Sequence, residues 1–388
     1  MPDKILFLCT AHYSLDDRVF YHQAKSLSKN GYEVYISSTK EEFSANIDGI
    51  KISSYCDNLL SQNQKKKKIV EKLTSISPDI IICDSPMSVV ASSLYRKKYS
   101  ARIIYDVTEW YPSKKNFPNT TGIVKWLKAI VLLSFNLLAG FKTDSFIFGE
   151  YYKSIVFRTL TCWKPFIFLP YYPDLKYIKQ YPVKKEWNEI NFLYTGVINA
   201  DKGIFSVLDA VQSIAKKIPQ LNIRLKIIGY YTKESEKIAI ENIISSLSRN
   251  INIEIHNILP FEEFCQVVGD TDFFLDLRKK DFENTHCLPI KLFYYLACGR
   301  PVIYTDLNSI KKDIKEFNFG KLVNTKDVES IAGYIQECVS NIEFYNSQCE
   351  SALEYSKKHY NWAIIEKKFL THISFHSKAV FQYRSNKQ

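Results

Sequence analysis

The sequence predicts an α/β protein built from two doubly wound, parallel-sheet domains. Three observations predict it. Short apolar runs such as Lys4–Cys9 have the length of buried parallel strands and alternate with stretches of helical periodicity. A proline-punctuated, charged stretch between Tyr171 and Glu186 breaks that alternation. The alternation then restarts at Asn191, and 388 residues are ample for two cores.

Taken in order, Lys4–Cys9 reads as a strand, followed by the loop Thr10–Arg18 and a helix carrying Phe20, Ala24 and Leu27 on one side. Asn30-Gly31 ends that helix, and Glu33–Ile36 begins the next strand. The loop falls at the carboxyl ends of the strands, where open α/β sheets bind ligands, but G-x-G-x-x-G is absent. Asp16 and Asp17 suit either capping of the helix or contact with a ligand. Lys65–Lys68 precedes a helix as a solvated face or a contact for anionic headgroups. Pro78–Cys83 and Arg102–Val107 are further strands, each running into a polar loop. The uncharged part of Gly122–Gly140 is shorter than the roughly 20 residues of a spanning helix. A buried domain helix is the first reading; the second is a surface helix with Lys125, Trp126 and Lys128 at headgroup level. The boundaries expected are 1–172, a linker at 173–190, 191–361, and a closing helix over 362–388.

Composition narrows the function classes. The formal net charge of +11 points to anionic company, yet the basic residues are scattered and form no aromatic-interleaved stripe, which argues against nucleic acid. The nine cysteines show neither C-x-x-C pairing nor zinc spacing, as expected in a reduced, cytoplasmic compartment. The amino terminus runs straight into a strand and lacks a signal-peptide layout.

Two stretches carry the chemistry. In Tyr194–Gly203, Gly196 lets the backbone approach a ligand and Lys202 stands before a helix N-terminus, where a diphosphate is favoured. In Leu288–Asp306, Pro289 opens a short helix with Leu292, Phe293 and Leu296 on one side; Gly299 and Pro301 stop it, and Val302–Tyr304 is a strand.

These stretches resemble the donor-site segments of GT-B glycosyltransferases of the family 4 type, P-x-K-x-x-E-Y-M-A-x-G-x-P-V-I and Y-x-G-x-x-x-x-x-K-G. Asp17-Arg18 through Val34, Arg102–Pro112, Thr143–Phe148, Phe319–Val323 and His359–Trp362 resemble further segments of the same family. The resemblance implies two facing Rossmann-like domains, with the last helix crossing back to the first. It implies that Lys202, Arg278 and Glu283 act on the leaving group and sugar. Gly196, Lys202, Asn284, Leu288, Pro289, Lys291 and Tyr294 would hold the donor. His12, Asp17, Arg18, Asp84, Asp106 and Glu109 would lie on the acceptor side. The sequence departs from the pattern at five positions: Tyr294 and His286 stand where two glutamates are usual, Val197 replaces an arginine, and Asp84 and Thr108 each replace a histidine.

The activity so implied is transfer of a sugar from a UDP- or GDP-sugar co-substrate, with no bound cofactor or metal, to a saccharide or lipid-linked acceptor. Retention of configuration, a role in capsule, exopolysaccharide or lipopolysaccharide synthesis, and contact with the cytoplasmic membrane face are the finer expectations. A nucleotide-sugar 2-epimerase and a catalytically silent scaffold of the same fold are the rivals.

Overall fold

The structure is a computed structural model that describes residues 2–109, 120, 122–182, 184–286, 288–314 and 316–385. Trp110–Pro112 lie outside the described residues, as does the side chain of Glu283. The chain divides into two units, Met1–Tyr171 with Ile365–Gln388, and Tyr172–Ile364.

In the first unit the described strands are β1 (Lys4–Cys9), β2 (Glu33–Ser38), β3 (Phe43–Ile47), β4 (Ile50–Ser54), β5 (Ile80–Cys83), β6 (Arg102–Val107), β7 (Ser145–Phe148) and β8 (Phe166–Phe168). They form one sheet in the order β3-β4-β2-β1-β5-β6-β7-β8, parallel except for the β3–β4 hairpin. The chain winds outward from β1 through β2, then returns to lay β5 on the opposite side of β1. That reversal leaves a crevice at the carboxyl ends of β1 and β5. Sequence patterning misses the hairpin and β8, because both are short and partly exposed. Past β1 the chain makes a wide π-type helical stretch, Asp17–Ala24, before the helix Lys25–Lys29. Asp16, not Asp17, caps it: its Oδ1 accepts from the Arg18 and Val19 N–H groups.

In the second unit, β9 (Glu189–Ile198), β10 (Asn222–Tyr231), β11 (Ile251–His256), β12 (Phe273–Asp276), β13 (Val302–Thr305) and β14 (Gly320–Val323) form a parallel sheet in the order β11-β10-β9-β12-β13-β14. The winding reverses between β9 and β12, which places a second crevice after those two strands. The stretch read as a linker packs against this unit: Ile178 is buried in its core, Gln180 donates to the Ala297 carbonyl at 2.6 Å, and Arg300 donates to the Tyr181 and Pro182 carbonyls. An arginine at the end of the short helix thereby fixes the segment, something charge and proline content do not foretell.

The helix Gly122–Lys142 corrects the reading of it as a buried element. Only 11% of its most apolar window is buried, although by length and composition it could cross a membrane. Asn136, Ala139 and Gly140 are its buried residues, and Asn136 Oδ1 accepts from Tyr105 OH at 2.8 Å.

The last helix, Trp362–Ser385, returns residues 365–385 to the first unit. Phe369 and Ile373 are fully buried there, and His372 Nε2 lies 3.0 Å from Ser145 Oγ. Burial, helped by the neighbouring His376 and by Lys368, pushes His372 down to about 3; burial likewise lowers His376 to about 4, with Asp144 opposing and Arg102 assisting. Both rings are therefore neutral in the folded chain at neutral pH. Their folded values lie below the unfolded one, so the stability they contribute is complete above about pH 6.5 and is lost as pH falls toward 4. We expect the melting temperature of the first unit to drop over that interval. The double substitution His372→Phe, His376→Phe should flatten the slope; an unaltered slope in scanning calorimetry would remove these rings from the acid response.

Candidate donor and acceptor sites

The crevice of the second unit is built by the exits of β9 and β12 and by the start of the helix Ile290–Ala297. Gly196 has φ +107°, and a Cβ there would stand 2.0 Å from Lys291 Nζ. The missing side chain is what lets the Lys291 ammonium lie over the strand and donate to the Thr195 carbonyl. Gly203, at φ +83°, closes the turn Ala200–Lys202; a Cβ would meet the Leu277 carbonyl at 1.9 Å. The turn is thus pressed against the exit of β12, and the fourteen-residue helix Ile204–Lys217 starts directly after it. Its free N–H groups and positive end belong to the same crevice.

Three cations meet there around one carboxylate. Arg278 is buried and paired in two places with Asp276, Nε to Oδ1 at 2.8 Å and Nη2 to Oδ2 at 2.5 Å. Its guanidinium lies 5.2 Å from the centre of the Tyr304 ring. Burial favours the neutral carboxyl of Asp276, but Arg278 and then Lys291 outweigh it and hold the group below the usual carboxylate range. Burial lowers Lys291 to about 8; Asp276 opposes this, while Arg278 and Lys202 add to it. Lys202 Nζ donates to Asn284 Oδ1 at 2.9 Å. The Asn284 amide donates in turn to the Lys279 carbonyl at 2.9 Å and to the Asp201 carbonyl at 3.3 Å, so it positions the lysine. Asp281 accepts from the Asn284 N–H and caps the short helix that holds it.

Gly196, Lys202, Arg278, Asn284 and Lys291, all expected from the sequence, come together here. Leu288 and Pro289 precede the helix, Leu288 partly exposed and Pro289 buried. Tyr294 does not present a polar group in the manner of a glutamate: it is 4% exposed and its ring meets the edges of Phe261 and Phe264 in the core. A carboxylate among those rings would lose its hydration, which explains why this helix carries a tyrosine there. Sequence reading missed Asp276 and Thr195, whereas Tyr295 is a residue it expects to stack or donate a hydrogen bond. Thr195 Oγ1 and Tyr295 OH lie 2.6 Å apart, and the Tyr295 ring stacks on Phe274 at 4.1 Å. The available signal was alternation: Asp276 and Arg278 are two apart at a strand exit and share a side.

In the first unit the crevice is stitched by Asp84. Its carboxylate accepts from the N–H groups of Thr10 at 2.8 Å, Ala11 at 2.9 Å and His12 at 3.2 Å, and lies 2.9 Å from His12 Nδ1. Burial works against a charged His12 ring, but the hydrogen bond to Asp84 and the Asp16 and Asp106 carboxylates push it up to about 9. The imidazolium is thus the form present at neutral pH. Arg18 and Asp106, expected on the acceptor side, are instead a buried brace. Arg18 donates through Nε and Nη2 to Asp106 at 3.0 and 2.9 Å, through Nη1 to the Leu169 carbonyl at 2.8 Å, and stacks 4.2 Å over Tyr171. Gln23 donates to the same carboxylate. Asp17 and Glu109 are partly exposed near the strand ends. Among the described residues no group of three or more His, Cys, Asp or Glu is placed to hold a metal ion.

Residues 178–358 match the family model of glycosyl transferases group 1. Comparison with curated proteins gives no match. Among solved structures the chain is similar to a sucrose-phosphate synthase from Thermosynechococcus elongatus, with TM-score 0.72 and 13% identity over 97% of this chain and 100% of that one. It is similar to HepE of Anabaena in complex with UDP-glucose, TM-score 0.67 and 13% identity over 96% and 99%. It is also similar to WaaG, a glycosyltransferase involved in lipopolysaccharide biosynthesis, TM-score 0.67 and 13% identity over 94% and 98%.

Removing the central carboxylate tests the arrangement. Asp276→Asn leaves Arg278 buried and unpaired and should cost about 3–5 kcal/mol in the urea unfolding of the second unit. A loss under about 1 kcal/mol would mean that water, not Asp276, carries the guanidinium's charge. Residues 178–358 are thus similar to group 1 glycosyl transferases, and the chain has the GT-B fold.

Proposed function

We propose that this chain transfers a glycosyl group from a UDP- or GDP-sugar to a saccharide or lipid-linked saccharide. The observation that carries the reading is the convergence of Lys202, Arg278 and Lys291 on one crevice, beside the first turn of a helix. Bond cleavage at the sugar's anomeric carbon leaves a nucleoside diphosphate with growing negative charge. Fixed cations and helix N–H groups offset that charge without reorganising, which is the larger part of catalysis in such a step. In this reading Lys202 and Lys291 meet the diphosphate, while Arg278 acts through its place beside Lys291. Because the cations already supply the positive field, the transfer is proposed to proceed without a metal. HepE is a complex with UDP-glucose and WaaG is involved in lipopolysaccharide biosynthesis, which favours a UDP-sugar and a surface-polysaccharide product. The family 4 type, and with it retention of configuration, follows the motif resemblance. A cytoplasmic location fits the free state of all eight described cysteines.

With Tyr294 in the core, donor ribose would be held without a glutamate from that helix, leaving Asp281, Glu283 and Asn284 upstream as the groups to substitute. The reading is tested by incubating the chain with a panel of UDP- and GDP-sugars. Release of nucleotide only when a saccharide acceptor is present supports it. Conversion of the donor to its 2-epimer without acceptor, or no binding of any donor, would replace it with one of the rival readings.

Lys202→Ala should lower kcat about 100- to 1,000-fold, the usual cost of removing one group aimed at developing charge. The melting temperature should stay near the parent's, since Lys202 is only partly buried at the edge of a turn. Unchanged turnover would take Lys202 out of the mechanism.

A further inference from the structure

Along the helix Gly122–Lys142, Ile123, Leu127, Ile130, Leu138 and Phe141 recur at i, i+4, i+7, i+15 and i+18, which places them on one side of an α-helix for its whole length. All five are between 45 and 75% exposed. The buried residues Asn136, Ala139 and Gly140 lie on the opposite side, where Tyr105 and Phe157 hold the helix to its own unit. Trp126, 73% exposed, borders the apolar side. Lys125 and Lys128 fall away from it, Lys142 sits at the end, and the helix contains no acidic residue.

We propose that this side is a docking surface for an anionic lipid bilayer, on which the helix lies flat without crossing. The apolar stripe would enter the boundary between headgroups and acyl chains, and the lysines would stay at headgroup level beside lipid phosphates. The adjoining helix Tyr151–Leu160 meets it at Gly140, where Phe157 fills the contact. Spanning is excluded by the same contacts. With Asn136, Ala139 and Gly140 fixed in the fold, only residues 122–135 are left, about 21 Å of helix against a hydrocarbon layer of about 30 Å. A second copy of the chain is a poorer occupant, since two such helices would bring lysines together with no acid from either. The inference does not rest on the sugar-transfer reading, because it uses no residue of either crevice.

The test is co-sedimentation of the full chain with phosphatidylcholine vesicles, with and without phosphatidylglycerol. The chain should pellet with the anionic vesicles, be released by alkaline carbonate, and bind about 30-fold more weakly as Lys125→Ala, Lys128→Ala. Ile123→Glu, Leu127→Glu, Ile130→Glu should abolish pelleting while circular dichroism and melting temperature stay as in the parent, because those side chains are exposed. The proposal is overturned if the parent does not pellet with anionic vesicles, if the triple variant pellets equally, or if carbonate fails to extract the chain. It is also overturned if sedimentation velocity without lipid shows a dimer that the triple variant loses.

Discussion

A single carboxylate, Asp276, sets what the second unit can bind. It is buried beside Arg278 and within the field of Lys291, which in turn feels Lys202. Pairing makes Arg278 tolerable in the interior, and Lys291 shares the same carboxylate. Burial, with Arg278 and Lys202 adding to it and Asp276 opposing, disfavours the charged form of Lys291. A diphosphate would oppose that effect. The glycine at 196 belongs to the same constraint, since a side chain there would occupy the place of the ammonium.

The first unit solves the matching problem at its own reversal of winding with the opposite sign. Asp84 gathers three backbone N–H groups and the His12 ring, so the loop after β1 is ordered by a carboxylate from β5. The Arg18–Asp106 pair, with Leu169, Gln23 and Tyr171 around it, ties the first helix to β6 and to the end of the unit. These groups rigidify the rim of the crevice. The protonated His12 and the partly exposed Asp17 and Glu109 stand beside them.

The fold was legible where burial is complete. Strands β1, β5, β12 and β13 are largely apolar, buried runs, and their spacing with helices between them points to parallel order. The hairpin β3–β4 was not legible, because the five residues Phe43–Ile47 are short and none is fully buried, nor was the three-residue β8. The helix Gly122–Lys142 misled for a different reason: apolar composition does not say whether the apolar side meets protein or something else. At the sites, lysines and glycines could be read from local spacing. The role of Asp84 depends on β1 and β5 being neighbours, a pairing 75 residues apart in sequence. Tyr294 needed the positions of Phe261 and Phe264 before its ring could be assigned to the core.

The central claim is that a buried ammonium at Lys291 waits for the donor's diphosphate. Calorimetric titration with UDP-glucose near pH 8.5, in two buffers of different ionisation enthalpy, reads it directly. Lys291, lowered to about 8 in the free chain, would be held charged against the diphosphate, so a net uptake of protons should accompany donor binding. Tight binding with no proton exchanged would contradict the account.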